Sequence, residues 1–302
     1  VADVLEVVVK GASTATLAGQ GLYSSFVDLS ANPGSSLTVA GAGELTVSGG
    51  VSGVSRIYFP QSGTGSSLHV TDDAYLVMRS SLSEVYRNSS LTTGSTASID
   101  IQNESGLGIH EGATITNQGL LTVQSGSELQ IFGNSNIGGA GTLNLNANLS
   151  FGQSQPGQNS LTTANELNFG SDALVIIGFD STARTSDFIT ANGTLSLGTL
   201  AKLQLKIYND QELPFNIKFK LLDYSDGMGP LDKFSQFEDL PDGSVFSAGL
   251  NTFQINYNDA TYEAGNASVI TLTTVPEVSP GLLAGLGAVI ALAGRRRRHA
   301  AD

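Results

Sequence analysis

Cysteine and tryptophan are absent from this 302-residue chain, methionine occurs twice and histidine three times. Without cysteine there is no disulfide, no thiol nucleophile and no thiolate-bound zinc, which fits an exported protein held together by its core alone. Charge is scarce as well: 14% of residues are charged, with 14 basic against 27 acidic side chains and a net charge of −13. Arg295, Arg296, Arg297 and Arg298 supply four of the basic residues, so ten face 27 elsewhere, a difference of −17. Such a balance repels phosphate backbones and excludes nucleic acid as an expected partner. The histidines are His69, His110 and His299, and no serine stands in a G-x-S-x-G elbow. Nucleophilic catalysis therefore lacks its base, and surface roles are expected for His69 and His110.

What the chain does have is 36 glycines and 40% hydrophobic residues in short alternating phrases. Leu37-Thr38-Val39, Leu45-Thr46-Val47, Leu68-His69-Val70, Ile99-Asp100-Ile101, Leu121-Thr122-Val123 and Leu143-Asn144-Leu145 each precede Gly, Asn, Asp or Ser turn residues within a few positions. Strict alternation predicts strands with one buried and one wet face. Leu45, Leu68, Ile99, Leu121, Leu143 and Leu167 follow one another at 23, 31, 22, 22 and 24 residues. A period in the twenties, made of short strands and glycine turns, predicts a solenoid of stacked coils. The 31-residue interval predicts a loop protruding over residues 79–93. Gly and Asn suit the corners, which need positive φ. Asn144, Asn146 and Asn148 alternate with apolar residues and should face outward as amide ladders.

After about residue 171 the strands lengthen and aromatics and charge increase. Residues 171–274 read as a β-sandwich-like cap, since an open coil exposes unpaired backbone. Residues 1–35 read as an N-terminal strand and cap, and 36–170 as the solenoid. Val4, Leu5, Val7, Val8 and Val9 form a segment of strong β propensity that reads either as a first coil or as a strand donated to a neighbouring subunit. The chain begins at Val1 without Met, as a chain whose signal peptide has been removed would.

Residues 278–294 carry no charge and are rich in Gly, Ala, Leu, Val and Ile, at the short limit of a membrane-spanning helix. The four arginines that follow would stay cytoplasmic and leave the body outside. Val275, Pro276 and Glu277, then the apolar stretch, then Arg295, Arg296, Arg297 and Arg298 resemble the PEP-CTERM sorting signal of Gram-negative envelope proteins. Val278 stands where that signal has its second proline, and Pro280 comes two residues later. The resemblance implies an exosortase-type sorting enzyme as partner, transient anchoring in the inner membrane by the tail 275–302, and a destination in the envelope, outer surface or extracellular matrix. The body, with Phe253-Gln254-Ile255-Asn256-Tyr257 and Val269-Ile270-Thr271-Leu272 ending it, resembles the autotransporter-type β-helix proteins that carry such tails.

Clustered acids are the remaining candidates for chemistry. Asp72-Asp73 and Glu238-Asp239-Asp242 read as turn acids, and Asp223, Asp226 and Asp232 spread oxygen donors through a glycine-containing loop that could hold Ca²⁺. No other cofactor is expected. Arg56, Arg79, Arg87 and Arg184 form no cluster of the kind a β-helix lyase needs beside its carboxylates. The expectation is thus an all-β protein: a right-handed parallel β-helix with a β-sandwich-like cap and a C-terminal hydrophobic helix. Its expected role is that of a non-catalytic secreted structural protein, self-associating into filaments or acting as an adhesin. The alternative is an extracellular polysaccharide-binding or polysaccharide-degrading β-helix, for which aligned aromatics or carboxylates along one face would speak.

Overall fold

The computed structural model describes residues 6–8, 14–18, 21–24, 26–29, 35–42, 44–48, 56–61, 65–152, 157–164, 166–224, 235–262 and 268–276. Among them the protein is an all-β parallel solenoid without a helix. Each coil lays one strand on each of three sheets, which contain ten, twelve and eight strands. We call these the first, second and third faces, in the order in which the chain meets them at Glu6–Val8, Thr14–Ala18 and Gly21–Ser24.

Alternation is what closes the coil. Inward residues of successive coils stand in register, so the third face buries a column running Leu45, Leu76, Ile99, Leu121, Leu143, Leu167. The second face buries Leu37, Leu68, Leu91, Ile115 and Ile137 in the same way. Like stacks on like, and the backbone hydrogen bonds of each interior strand are satisfied by the coils on either side. Fully burying one such side chain stabilises by about 1.5–3 kcal/mol before chain entropy is counted. Corners use residues that tolerate positive φ, among them Asn88 at 67° and Gly126 at 80°.

The column corrects one expectation. Leu68 belongs to the second face, and the partner of Leu45 on the third face is Leu76. Residues 79–93 are consequently no protruding loop but hold regular strands, Leu82–Val85 and Ser90–Thr93. The long interval lies between Leu45 and Leu76, and the extra chain falls between the strands Glu44–Ser48 and Ser67–Val70. The second and third faces both carry the phrase Leu-x-Val, at Leu37 and Leu68 on one and Leu45 and Leu121 on the other, so spacing alone could not assign a leucine to its sheet.

Coil pairing extends on both sides of residues 36–170. Phe26–Asp28 pairs with Arg56–Tyr58, and Leu174–Asp180, Phe188–Ala191 and Leu195–Leu197 continue the three faces. Lys202–Tyr208 then pairs parallel with Leu174–Asp180 along its whole length. Lys218–Asp223 pairs with Phe188–Ala191, after which Val269–Thr274, Asn251–Asn256 and Val245–Ala248 add antiparallel strands to the second face. Phe179 of the first face meets Phe219 and Phe253 edge-on, at 4.5 and 5.4 Å between centroids, so these strands lie over one another as two layers. The apolar stretch 278–294 expected as a helix lies outside the described residues.

Candidate functional site

A group of aromatic and ionisable side chains sits where the first face turns toward the second. Leu82–Val85, Gly106–His110 and Glu128–Phe132 stack there in register, with Val85, Ile109 and Ile131 pointing inward and buried. The next residues along, Tyr86, His110 and Phe132, are thrown outward together. Their rings form one pile: centroids of Tyr86 and His110 are 4.3 Å apart at 25°, and those of His110 and Phe132 are 4.3 Å apart at 5°. Glycine makes the room. A Cβ on Gly108 would lie 3.2 Å from the Phe132 ring, and one on Gly152 would lie 2.6 Å from it.

Polar groups finish the corner. His110 Nε2 lies 3.4 Å from a Glu84 carboxylate oxygen, while the Tyr86 hydroxyl donates to the other oxygen and accepts from Gln61 Nε2 at 3.0 Å. Burial, helped by the hydrogen bond to Glu84, pushes the Tyr86 hydroxyl up to about 12. Arg87 and Glu111 form an exposed pair at 3.9 Å beside the rings. Gln61, Tyr86, Arg87, His110, Phe132 and Gly133 line a shallow depression of about 290 Å³.

This geometry holds coils together and presents ring edges outward. Both planes of the His110 ring are covered by neighbours, and its Nε2 faces a carboxylate. Such a histidine is oriented for stacking and pairing, not for taking a proton from a nucleophile. His69 is likewise tied to the coil beside it, its Nδ1 2.6 Å from Thr92 Oγ1.

Four of the candidate acids are engaged as well. Asp72 adopts φ of 54° in its turn and accepts from the Gly41 amide, Glu238 pairs with Lys202 at 3.3 Å, and Asp242 accepts from the Tyr257 amide at 2.8 Å. Of the calcium candidates, Asp223 is buried with one oxygen 3.2 Å from Lys220 Nζ, whereas Asp226 and Asp232 lie outside the described residues. Among the described residues no three His, Cys, Asp or Glu side chains come together in a way that could hold a metal ion. Arg79 donates to Gln102 one coil away at 3.2 Å, and Asn168 donates to Asn144 at 3.0 Å, one rung of the expected amide ladder.

Two other sequence features lie partly outside the described residues. Val7 and Val8 lie in the strand Glu6–Val8, which pairs parallel with Phe26–Asp28 of the same chain, whereas Val4, Leu5 and Val9 lie outside the described residues. In the sorting signal, Val275 donates its amide to Thr252 and Pro276 is exposed, while Glu277 and the four arginines lie outside the described residues.

The ring pile was missed in the sequence, although a signal existed. Tyr86, His110 and Phe132 are separated by 24 and 22 residues, one coil each. Neither protein-family models, that of the sorting signal included, nor curated proteins show a significant match to the chain.

Proposed function

We propose that the protein is a non-catalytic structural element of a bacterial envelope or extracellular matrix. In this reading it is a right-handed β-helix closed by a C-terminal sandwich-like cap. It is carried outward by a PEP-CTERM-like tail with an apolar helix and four arginines, which an exosortase-type enzyme processes. One observation carries the scaffold reading. His69, His110, Glu84, Arg79 and Asp242, the side-chain types that catalysis or binding would need, serve contacts between coils and turns. Self-association fits the two ends of the described solenoid: among the described residues Glu6–Val8, Thr14–Ala18 and Gly21–Ser24 are the terminal strands of their sheets, and the strands and turns after Tyr208 expose Phe215, Val245 and Leu250. Electron microscopy of the purified full chain tests it. Filaments or end-to-end pairs of rods are expected, and strictly isolated rods at all concentrations would remove the assembly part of the proposal.

The second reading, a polysaccharide-binding solenoid, is favoured by the aligned rings of Tyr86, His110 and Phe132 beside Glu84 and Glu111. Its ring planes are turned against each other, so a sugar would meet edges and carboxylates instead of an open stacking platform. That ordering of surfaces places it second.

A further inference from the structure

The chain leaves its last described strand at the lip of an apolar groove. After Val269–Thr274, Val275 donates its amide to the Thr252 carbonyl and Pro276 is exposed, and both residues line a groove of about 380 Å³. Leu213, Phe215 and Leu250 form the rest of its apolar wall. Phe215, ahead of the strand Lys218–Asp223, is 55% exposed, and Leu250, in the turn between Val245–Ala248 and Asn251–Asn256, is 59% exposed. No other large hydrophobic residue among those described is as open to water.

The polar side chains of the groove are already committed. Asn251 Oδ1 accepts from the Leu213 amide and Asn251 Nδ2 donates to the Gln211 carbonyl, both at 2.7 Å. Thr274 Oγ1 donates to the Pro214 carbonyl at 2.7 Å and accepts from the Ile217 amide at 2.9 Å, while Thr252 Oγ1 lies 3.3 Å from Ser247 Oγ. Of the lining residues only Glu212 carries a charge, and it is exposed. A site for a polar small molecule keeps a few convergent polar groups free to orient its ligand, and here they are spent. What remains is an apolar surface suited to apolar chain.

We propose that the groove receives the chain's own apolar segment 278–294, through Leu282, Leu283 and Leu286. Position, composition and turn chemistry agree on this occupant. The segment starts two residues beyond Pro276, which is itself part of the wall, and it carries no charge. Ser279-Pro280-Gly281-Leu282 has Pro and Gly at the two central positions of a type II turn, which reverses the chain and sends the three leucines back toward Val275. A tether this short holds them at an effective concentration on the order of millimolar, far above that of a second copy in dilute solution. Docking shelters these leucines from water until a membrane or a partner protein draws the segment away. Phe215 and Leu250 become available to a second copy only after the tail has left. That last consequence rests on the assembly reading above, whereas the docking itself does not.

Because the chain has no cysteine, an introduced pair can close only one intramolecular disulfide. The full chain is used in detergent-free buffer at several dilutions, and closure of the pair is timed by mass spectrometry after quenching with a maleimide. Leu250→Cys with Leu283→Cys is expected to close about tenfold faster than Leu82→Cys with Leu283→Cys, at a rate that dilution does not change. Leu82 is the fair control, being exposed on the first face several coils before the groove. Adding Phe215→Glu to the first pair keeps the tether and removes the apolar wall, so closure should slow by about tenfold. Far-UV circular dichroism establishes that each variant is folded. Equal rates for the two pairs overturn the proposal, as does a rate that Phe215→Glu leaves unchanged, since the tether alone would then account for it. Disulfide-linked dimers in place of closed monomers, with a yield that rises with concentration, would assign the groove to a second copy and equally overturn it. Neither pair reads filament formation or processing of the tail, so the docking and the assembly proposal fail separately.

Discussion

Two carboxylates show how single residues secure the C-terminal strands. Asp187 is buried and accepts hydrogen bonds from the Asn159 amide at 2.8 Å, the Asn159 side chain at 2.9 Å and the Gly178 amide at 2.9 Å. Burial pushes its carboxyl upward, and those donors work against the shift. Asp259 shows the opposite balance. Burial alone would raise it, but hydrogen bonds from Lys218 at 2.8 Å, Thr261 and Thr271 outweigh that and hold the carboxyl well below the usual carboxylate range. A depressed folded pKa means the unfolded chain binds the proton more readily. Stability from this group is therefore complete above the ordinary aspartate value near about 4 and is lost as pH falls below it. Lys218→Met removes the first-named donor and should cost about 1–3 kcal/mol near neutral pH. Chemical denaturation at a series of pH values checks it. The gap between wild type and Lys218→Met should narrow below about pH 4, and a gap that stays constant or widens there would show that the pair does not act through charge.

At the scale of elements, the column is the unit. Leu143 is buried between Leu121 and Leu167, its partners in the coils before and after. Leu143→Ala leaves a cavity that neither neighbour can fill without breaking its own register, so a loss of about 2–5 kcal/mol is expected. Leu121→Ala borders the same space. The double variant should consequently lose less than the sum of the two single losses, a coupling that equilibrium denaturation of the four proteins measures. Additive losses would mean that the coils relax independently.

These columns were also what the sequence made plainest. Leu121-Thr122-Val123 and Leu143-Asn144-Leu145 alternate so strictly that strand, inward face and coil period could all be read from them. Assigning Leu68 to its sheet was beyond reach, because the second and third faces share the phrase Leu-x-Val and only pairing tells them apart. The ring pile failed for another reason. Tyr86 lies one residue past the end of its strand, outside the alternation, and its partners are a coil away. Charge offered no guide either, since Glu84 becomes notable only through the two rings it touches.

Across the whole molecule, a stack of coils is close to a one-dimensional chain of neighbours. An interior strand such as Ser98–Gln102 is hydrogen-bonded to both Tyr75–Arg79 and Leu120–Val123. Among the described residues, Glu6–Val8, Thr14–Ala18 and Gly21–Ser24 each pair with one strand, at the start of their sheets. Opening the first coil breaks one set of pairings and exposes one layer of core, whereas opening a middle coil breaks two. Local opening should therefore start at the N-terminal end and demand progressively more free energy toward the centre. The other end is built differently, because Lys218–Asp223 is flanked by a parallel strand and by the antiparallel Val269–Thr274, with Phe179 packed across onto Phe219 and Phe253. Hydrogen exchange followed by mass spectrometry should thus show a gradient with one steep and one shallow end. Peptides covering Thr14–Ala18 exchange first, those covering Ser98–Gln102 and Glu128–Phe132 last, and those covering Lys218–Asp223 closer to the second group. Equal protection of Thr14–Ala18 and Glu128–Phe132 in dilute monomer would mean that the first coil is covered from outside. In assembled material that same result is the expected one, since a second copy stacked on the open edges would supply the missing partners. Comparing dilute and concentrated samples of one preparation separates the two cases.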